Sequence, residues 1–231
     1  ITTVMSQSIK TLVHSFFGYR QKEIETSLVD YFFYPKYGPG QLWEDIAKYI
    51  QTNGGEIHFR QTVVGINKKE TTITGVDVRD ETTGKVSSVL GDFVLSTMPV
   101  RDLIPGMGSD VPADVRQTAA QLQYRDFLTI GLLFSRLKTP DGTLPDNWLY
   151  IQEDDVNVGR IQVFNNWSPY LVRNPDNAWL GLEYFCQEGD DVWSMKDQQL
   201  IQLGIHELSS LGIADSENYL DGVVLRMPKA Y

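Results

Sequence analysis

The sequence predicts an α+β protein in two parts: a mixed, largely antiparallel β-sheet with flanking helices, and a smaller helix-and-β-hairpin unit ahead of it. Three observations predict it. A turn, an amphipathic helix, a glycine stop and a strand follow one another from Tyr34 to Ile66. Two more strand candidates with hairpin signals come next. From Pro140 the composition turns β-rich and aromatic-rich, closed by one more helix and a last strand. The expected organisation is a helical lead-in over residues 1–33, a turn-helix-strand unit with further strands over 34–105, and a larger α+β domain over 106–231.

In the lead-in, Ile9, Leu12, Val13, Phe16 and Phe17 make a helical stripe that is interrupted near Gly18. His14 stands alone beside it and reads as a packing or surface histidine. Pro35, Gly38, Pro39 and Gly40 then set a turn, because proline fixes φ and glycine reaches conformations that other residues avoid. Leu42, Ile46, Ala47 and Ile50 recur at helical spacing beside Trp43, with Glu44, Asp45, Lys48 and Gln51 on the other side. Gly54-Gly55 stands where a helix stop belongs, and HFRQTVVGI follows as a strand.

TTITGVDVRDE and KVSSVLGDFVLSTMP are the next strand candidates, with a polar turn at NKKETT and a hairpin signal at Gly84. The run Phe93-Val94-Leu95 suits a strand buried on both faces. PVRDLIPGMGSDVP, punctuated by prolines and glycines, is the expected boundary between the two parts. A short helix is expected over Asp114 to Gln123, and DFLTIGLLFSRL reads as an apolar strand. The later strands are expected at 147–152, 159–166 and 178–187, a helix at about 196–210 stopped by Gly212, and a closing strand at YLDGVVLRM.

Composition narrows the function. The 231 residues are 42% hydrophobic and 22% charged, enough to bury a core. A net charge of −10 lacks the electrostatic footprint of a nucleic-acid binder and would be repelled by anionic membranes. Cys186 is the single cysteine, which favours a reducing, cytoplasmic setting, and no Cys/His grouping has metal-ligand spacing. No signal peptide or membrane-length apolar run is visible. The chain starts at Ile1 without a methionine and ends flush with a strand candidate, so a piece of a longer polypeptide is expected.

Chemical motifs are sparse. No G-x-G-x-x-G follows a strand, and in Gly38-Pro39-Gly40 the proline removes an N–H from any anion cradle. A G-x-S-x-G elbow and a Walker-type loop are absent. The carboxylate pairs Asp154/Asp155, Asp190/Asp191 and Glu44/Asp45 read as turn caps or solvated faces. Asn166-Trp167-Ser168 matches a glycosylation sequon, but no secretory signal accompanies it. Trp148, Tyr150, Phe164, Trp167, Tyr170, Trp179, Tyr184, Phe185 and Trp193 crowd one stretch. They suit a packed sheet core or an aromatic-lined pocket for a planar or sugar-like ligand, and both readings stay open.

The segment YPKYGPGQLWE, followed by a helix, Gly54-Gly55 and a strand carrying Val63 and Ile66, resembles flavin-dependent oxidoreductases of the amine oxidase, protoporphyrinogen oxidase and phytoene desaturase superfamily. The UDP-galactopyranose mutase-like members look closest. Ser96-Thr97-Met98-Pro99, YRDFLTIGLLF, NWLYIQ, NNWSPYLV and GLEYFCQEGDDVW extend the likeness over most of the chain. The resemblance implies that residues 34–105 are part of an FAD-binding domain and that 106–231 are a substrate domain. It implies that Val63 and Val64 run past the adenine end of FAD, with Thr97 and Pro99 nearby, and that Gly38 and Gly40 lie towards the flavin side of the substrate cavity. Tyr124, Arg125, Trp148, Tyr150, Arg160, Trp167 and Tyr184 are the expected pocket lining, where an arginine would suit an anionic or phosphorylated substrate. No catalytic acid or base is assigned.

This sequence departs from that pattern where the family carries its N-terminal phosphate-binding glycines and its C-terminal flavin-binding segment. FAD is therefore expected with the missing N- and C-terminal segments of a parent chain, and not retained tightly by these residues alone. The expected partner is a small organic substrate. A flavin-dependent sugar mutase, or a non-catalytic module that binds carbohydrate or protein through the aromatic cluster, are the alternatives.

Overall fold

The computed structural model describes residues 33–230, and the helical stripe expected before Phe33 lies outside them. Helix α1 (Gly40–Thr52) follows a tight turn in which the Gly38 N–H bonds the Pro35 carbonyl at 3.0 Å. Its end is a Schellman motif: Gly54, at φ +84°, donates to Gln51 O, and Gly55 donates to Ile50 O. The amphipathic pattern forms, yet no residue of α1 is buried, and Leu42, Trp43, Ile46 and Ile50 all stand exposed.

Strands β1 (Gln61–Lys69), β2 (Thr72–Asp80) and β3 (Val86–Leu90) make an antiparallel meander in that order. In β1, Val63 pairs Val78 and Gly65 pairs Asp77, so Val64 is the extra residue of a bulge. The Asp80 carboxylate caps the β2–β3 turn through the N–H groups of Thr82 and Thr83. The third strand stops earlier than the sequence suggests. Phe93 and Leu95 are 93% and 97% exposed and outside any strand, because no described strand pairs with them or covers them.

A helix, α2 (Val100–Gly106), occupies the stretch expected to be a loop boundary. Pro99 sits just before it, where a missing N–H costs nothing, and Pro105 falls in its last turn. It packs on β1, with Lys68 Nζ beside Asp110 at 2.8 Å. Helix α3 (Ala113–Ala120) follows.

The second sheet contains β4 (Asp126–Phe134), β5 (Trp148–Tyr150), β6 (Arg160–Val163), β7 (Ala178–Cys186) and β8 (Tyr219–Met227), in the order β5-β6-β7-β4-β8. All its pairings are antiparallel. β6 ends before the expected strand does, and α4 (Phe164–Trp167) is a single helical turn. Here the two asparagines bond distant loops and a neighbouring strand end. Asn165 bonds the Asn177 carbonyl and the Trp179 N–H, while Asn166 bonds the carbonyls of Leu144 and Asp146. The short α5 (Asp191–Ser194) leads to α6 (Asp197–Ser210), which ends in a second Schellman motif at Gly212.

Strand alternation decides which face is the core. Leu128, Ile130, Leu132 and Phe134 on β4 pair with Tyr184, Leu182, Leu180 and Ala178 on β7, all buried under α6. A Cβ on Gly204 would lie 3.1 Å from both Leu132 and Leu182, so α6 rests closely on the sheet. Glu207 of α6, itself buried, accepts from Tyr184 Oη at 2.8 Å, Asn157 N at 2.7 Å, Asn157 Nδ2 and Val158 N. This carboxylate ties the loop before β6 to the core.

Candidate functional site

The residues that alternate away from the core build the opposite face of the second sheet. Trp148 and Tyr150 of β5 stand across from Gln162 and Arg160 of β6, and Arg160 stands across from Glu183 of β7. Three glycines on or beside this side let aromatic rings lie close to the backbone. A Cβ on Gly181 would meet Phe164, one on Gly131 would meet Trp179, and one on Gly159 would meet Phe185, each within about 3.1 Å.

A relay of polar contacts connects the face. Arg160 Nε donates to Glu183, forming an ion pair whose two side chains are 22% and 8% exposed. Arg160 Nη1 reaches Tyr150 Oη at 3.4 Å, and its guanidinium carbon lies 5.7 Å from the Tyr150 ring centre. The second Glu183 oxygen accepts from Gln162 Nε2 at 3.1 Å, and Gln162 Oε1 accepts from Trp167 Nε1 at 2.8 Å. Trp167 in turn lies between two rings: Trp148 at 5.2 Å and 13°, and Tyr34 at 5.0 Å and 26°. The Glu183 hydrogen bond raises the Arg160 pKa above its already high ordinary value, more than burial lowers it, so the guanidinium stays charged. Burial pushes the Tyr34 hydroxyl upward.

The opening turn of the chain docks beside this stack. Ser168 Oγ donates to the Lys36 carbonyl at 2.7 Å, Tyr37 packs edge-on against Tyr170, and the Lys36 ammonium lies 4.1 Å from the Tyr170 ring centre. Gly38 is buried at φ +85°, with Leu171 3.4 Å from where a Cβ would stand, while Gly40 is exposed at the start of α1.

Of the expected pocket residues, Trp148, Tyr150, Arg160 and Trp167 therefore come together. Tyr184 does not join them, because its place in β7 turns it to the core side, where it is buried against Glu207. That burial, and then the Glu207 charge, raise its hydroxyl pKa well above the ordinary value. Tyr124 and Arg125 line a separate open groove with Gln123, Gln187 and Asp190, and Tyr124 Oη accepts from the Arg101 N–H. On the other unit, Val63 and Val64 form the bulge of β1, with Val64 exposed. Thr97 is exposed, and the Pro99 carbonyl accepts from the N–H groups of Asp102 and Leu103 at the start of α2.

Tyr34, Gln162 and Glu183 were not among the expected site residues. Glu183 carried a signal, being a carboxylate inside the apolar strand LGLEYF, where a charge needs a partner. Among the described residues no cluster of three or more His, Cys, Asp or Glu could hold a metal, and no helix is long and apolar enough to cross a membrane.

A family profile described as flavin containing amine oxidoreductase matches residues 8–225. The chain belongs to the flavin containing amine oxidoreductase family. Its fold is shared with a reduced UDP-galactopyranose mutase at TM-score 0.68 and 20% identity, over 86% of this chain and 41% of that one. It is shared also with a protein from Exiguobacterium sp. 255-15 named as a protoporphyrinogen oxidase, at 0.65 and 13% identity over 84% and 39%. An oxidoreductase from Methanosarcina mazei gives 0.63 and 16% identity over 84% and 44%. Comparison with curated protein sequences found no match. This member of the flavin containing amine oxidoreductase family thus spans about two fifths of the length of the solved structures it resembles.

Proposed function

We propose that this chain supplies the substrate-binding unit, and the adenine-side part of the cofactor scaffold, of an FAD-dependent oxidoreductase acting on a small organic molecule. The observation that carries this reading is the sheet face away from the core, where one buried carboxylate, Glu183, orients both Arg160 and, through Gln162, the Trp167–Trp148 stack. A site needs side chains held by others, and this face has them.

The described residues would serve one end of FAD. In this reading the main chain of Val63 and Val64, at the β1 bulge, would meet an adenine edge, with Thr97 and Pro99 near it and Gly38 and Gly40 towards the flavin side. They offer no pyrophosphate cradle, since α1 begins behind a proline that lacks an N–H. The phosphate-binding part is assigned to further segments of a longer polypeptide, which would also cover the exposed apolar residues of α1 and of Phe93 and Leu95. When bound, FAD supplies the redox chemistry of the family. The chain's own residues bind and orient the substrate: Trp148 and Tyr150 provide ring surface, Arg160 is fixed by Glu183, and Trp167 holds Trp148 in place.

The test is the visible spectrum of the protein expressed from its complete reading frame. Flavin bands near about 370 and 450 nm are expected, with FAD released on heating. A colourless protein would favour the non-catalytic module and overturn this reading. In the flavin-bearing protein, Trp148→Ala is expected to raise KM by about tenfold, with a smaller change in kcat.

A further inference from the structure

We propose that the face of the second sheet away from the core selects an uncharged, planar ring as its ligand and discriminates against anionic ones. The inference rests on the reading of this face as the substrate side, and it names the ligand class. Two independent features carry it.

The first is a stack whose last ring, among the described residues, carries no second ring. Tyr34, Trp167 and Trp148 are stacked, with ring centres 5.0 and 5.2 Å apart at 26° and 13°, and among the described residues Trp148 is the terminal plate. It is 42% exposed, and among the described residues its ring contact is to Trp167, which leaves ring surface for a further partner. Tyr150, 62% exposed, lies two residues along the same strand. A flat ligand ring would extend the stack, gaining both burial and ring-ring attraction.

The second is that the arginine on this face is already neutralised. Arg160 is bonded through Nε to Glu183 and through Nη1 to Tyr150, and little of the ion pair reaches solvent. An anion arriving here meets a pair of net charge zero. It loses its own hydration without gaining an unpaired cation, and it is opposed by a chain of net charge −10. The Lys36 ammonium lies over the Tyr170 and Tyr37 rings at 4.1 and 5.1 Å, so it too is already engaged. An arginine in the lining was expected to suit an anionic or phosphorylated substrate; on this proposal Arg160, paired with Glu183, does not take that part.

The experiment is calorimetric titration of the full-length, flavin-bearing protein with naphthylmethanol and with naphthoate, the same ring without and with a negative charge. The wild type is expected to bind naphthylmethanol about tenfold or more tightly than naphthoate, and this ratio needs no variant. Glu183→Gln keeps the shape, releases Arg160 and is expected to move the ratio roughly tenfold towards naphthoate. Trp148→Ala is expected to weaken naphthylmethanol by about tenfold.

Equal or tighter binding of naphthoate by the wild type overturns the inference, as does an unmoved ratio in Glu183→Gln. If that naphthoate binding disappears in Trp148→Ala, the face still stands as the ligand site and only the charge selection falls. A flavin-bearing wild type that binds neither ring overturns both the selection and the assignment of this face.

Discussion

Residues 40–90 and residues 126–227 each build an antiparallel sheet with a helix nearby, but they differ in what lies between helix and sheet. In the second unit α6 rests on β4 and β7, and the core cluster draws all its members from Leu128 onward. In the first unit no residue of α1 is fully buried, β3 is exposed along its whole length, and only Gly75 and Val78 of β2 are buried in the meander. Turn and cap chemistry serve equally well in both, since each long helix ends in a Schellman motif. Local signals therefore suffice to shape an element, while a core requires two apolar faces that meet.

Substitutions can break this contrast. The largest effect is expected from Leu182→Ala, which removes a fully buried side chain beneath α6. A cost of about 4 kcal/mol is expected in thermal unfolding, and a cost under about 1 kcal/mol would mean that the core is not the source of stability. Glu207→Ala comes next, because it strands the Tyr184 hydroxyl and the Asn157 and Val158 N–H groups inside the protein. About 3 kcal/mol is expected, measured in the same way, together with faster amide exchange in residues 152–159.

Ile46→Ala on α1 should cost only about 0.5 kcal/mol in this chain, since that face is open. If the same change costs about 2 kcal/mol or more in the longer polypeptide, the face is covered there, and the contrast belongs to these residues alone.

The smallest expected effect is electrostatic and confined to the first unit. Hydrogen bonds from Ser88 and Asn67 hold the Asp77 carboxyl below its ordinary pKa, and the Thr83 N–H does the same for Asp80. Both groups have depressed folded-state values, so their stabilisation is present above roughly pH 4 and is lost as pH falls through those lower values. Amide protection in β2 and β3 should fall on acidification below about pH 4, and Asp77→Asn should flatten that dependence. An unchanged pH profile in Asp77→Asn would remove Asp77 from the account.

Much of the fold was legible because its signals are local. The proline-glycine turn, the stops at Gly54 and Gly212, and the apolar strand at β4 each follow from a few neighbouring residues. The failures arose where a distant partner decides. Phe93-Val94-Leu95 has the composition of a buried strand but no described strand beside it, and where β6 stops Asn165 and Asn166 bond loops far along the chain. The grouping of the candidate site was half legible for the same reason. Trp148, Tyr150, Arg160 and Trp167 could be collected from an aromatic-rich stretch, whereas Tyr184 could not be sent to the core side without knowing its partner strand.

By itself the sequence determined the element types, the caps and the alternation that gives each strand two faces, because these depend on φ/ψ preference and on a period of two. The tertiary structure alone decided which face became the core, because that depends on where α6 lands. It alone decided that Glu183 neutralises Arg160, because β6 and β7 had first to pair in register, bringing together residues far apart in the chain.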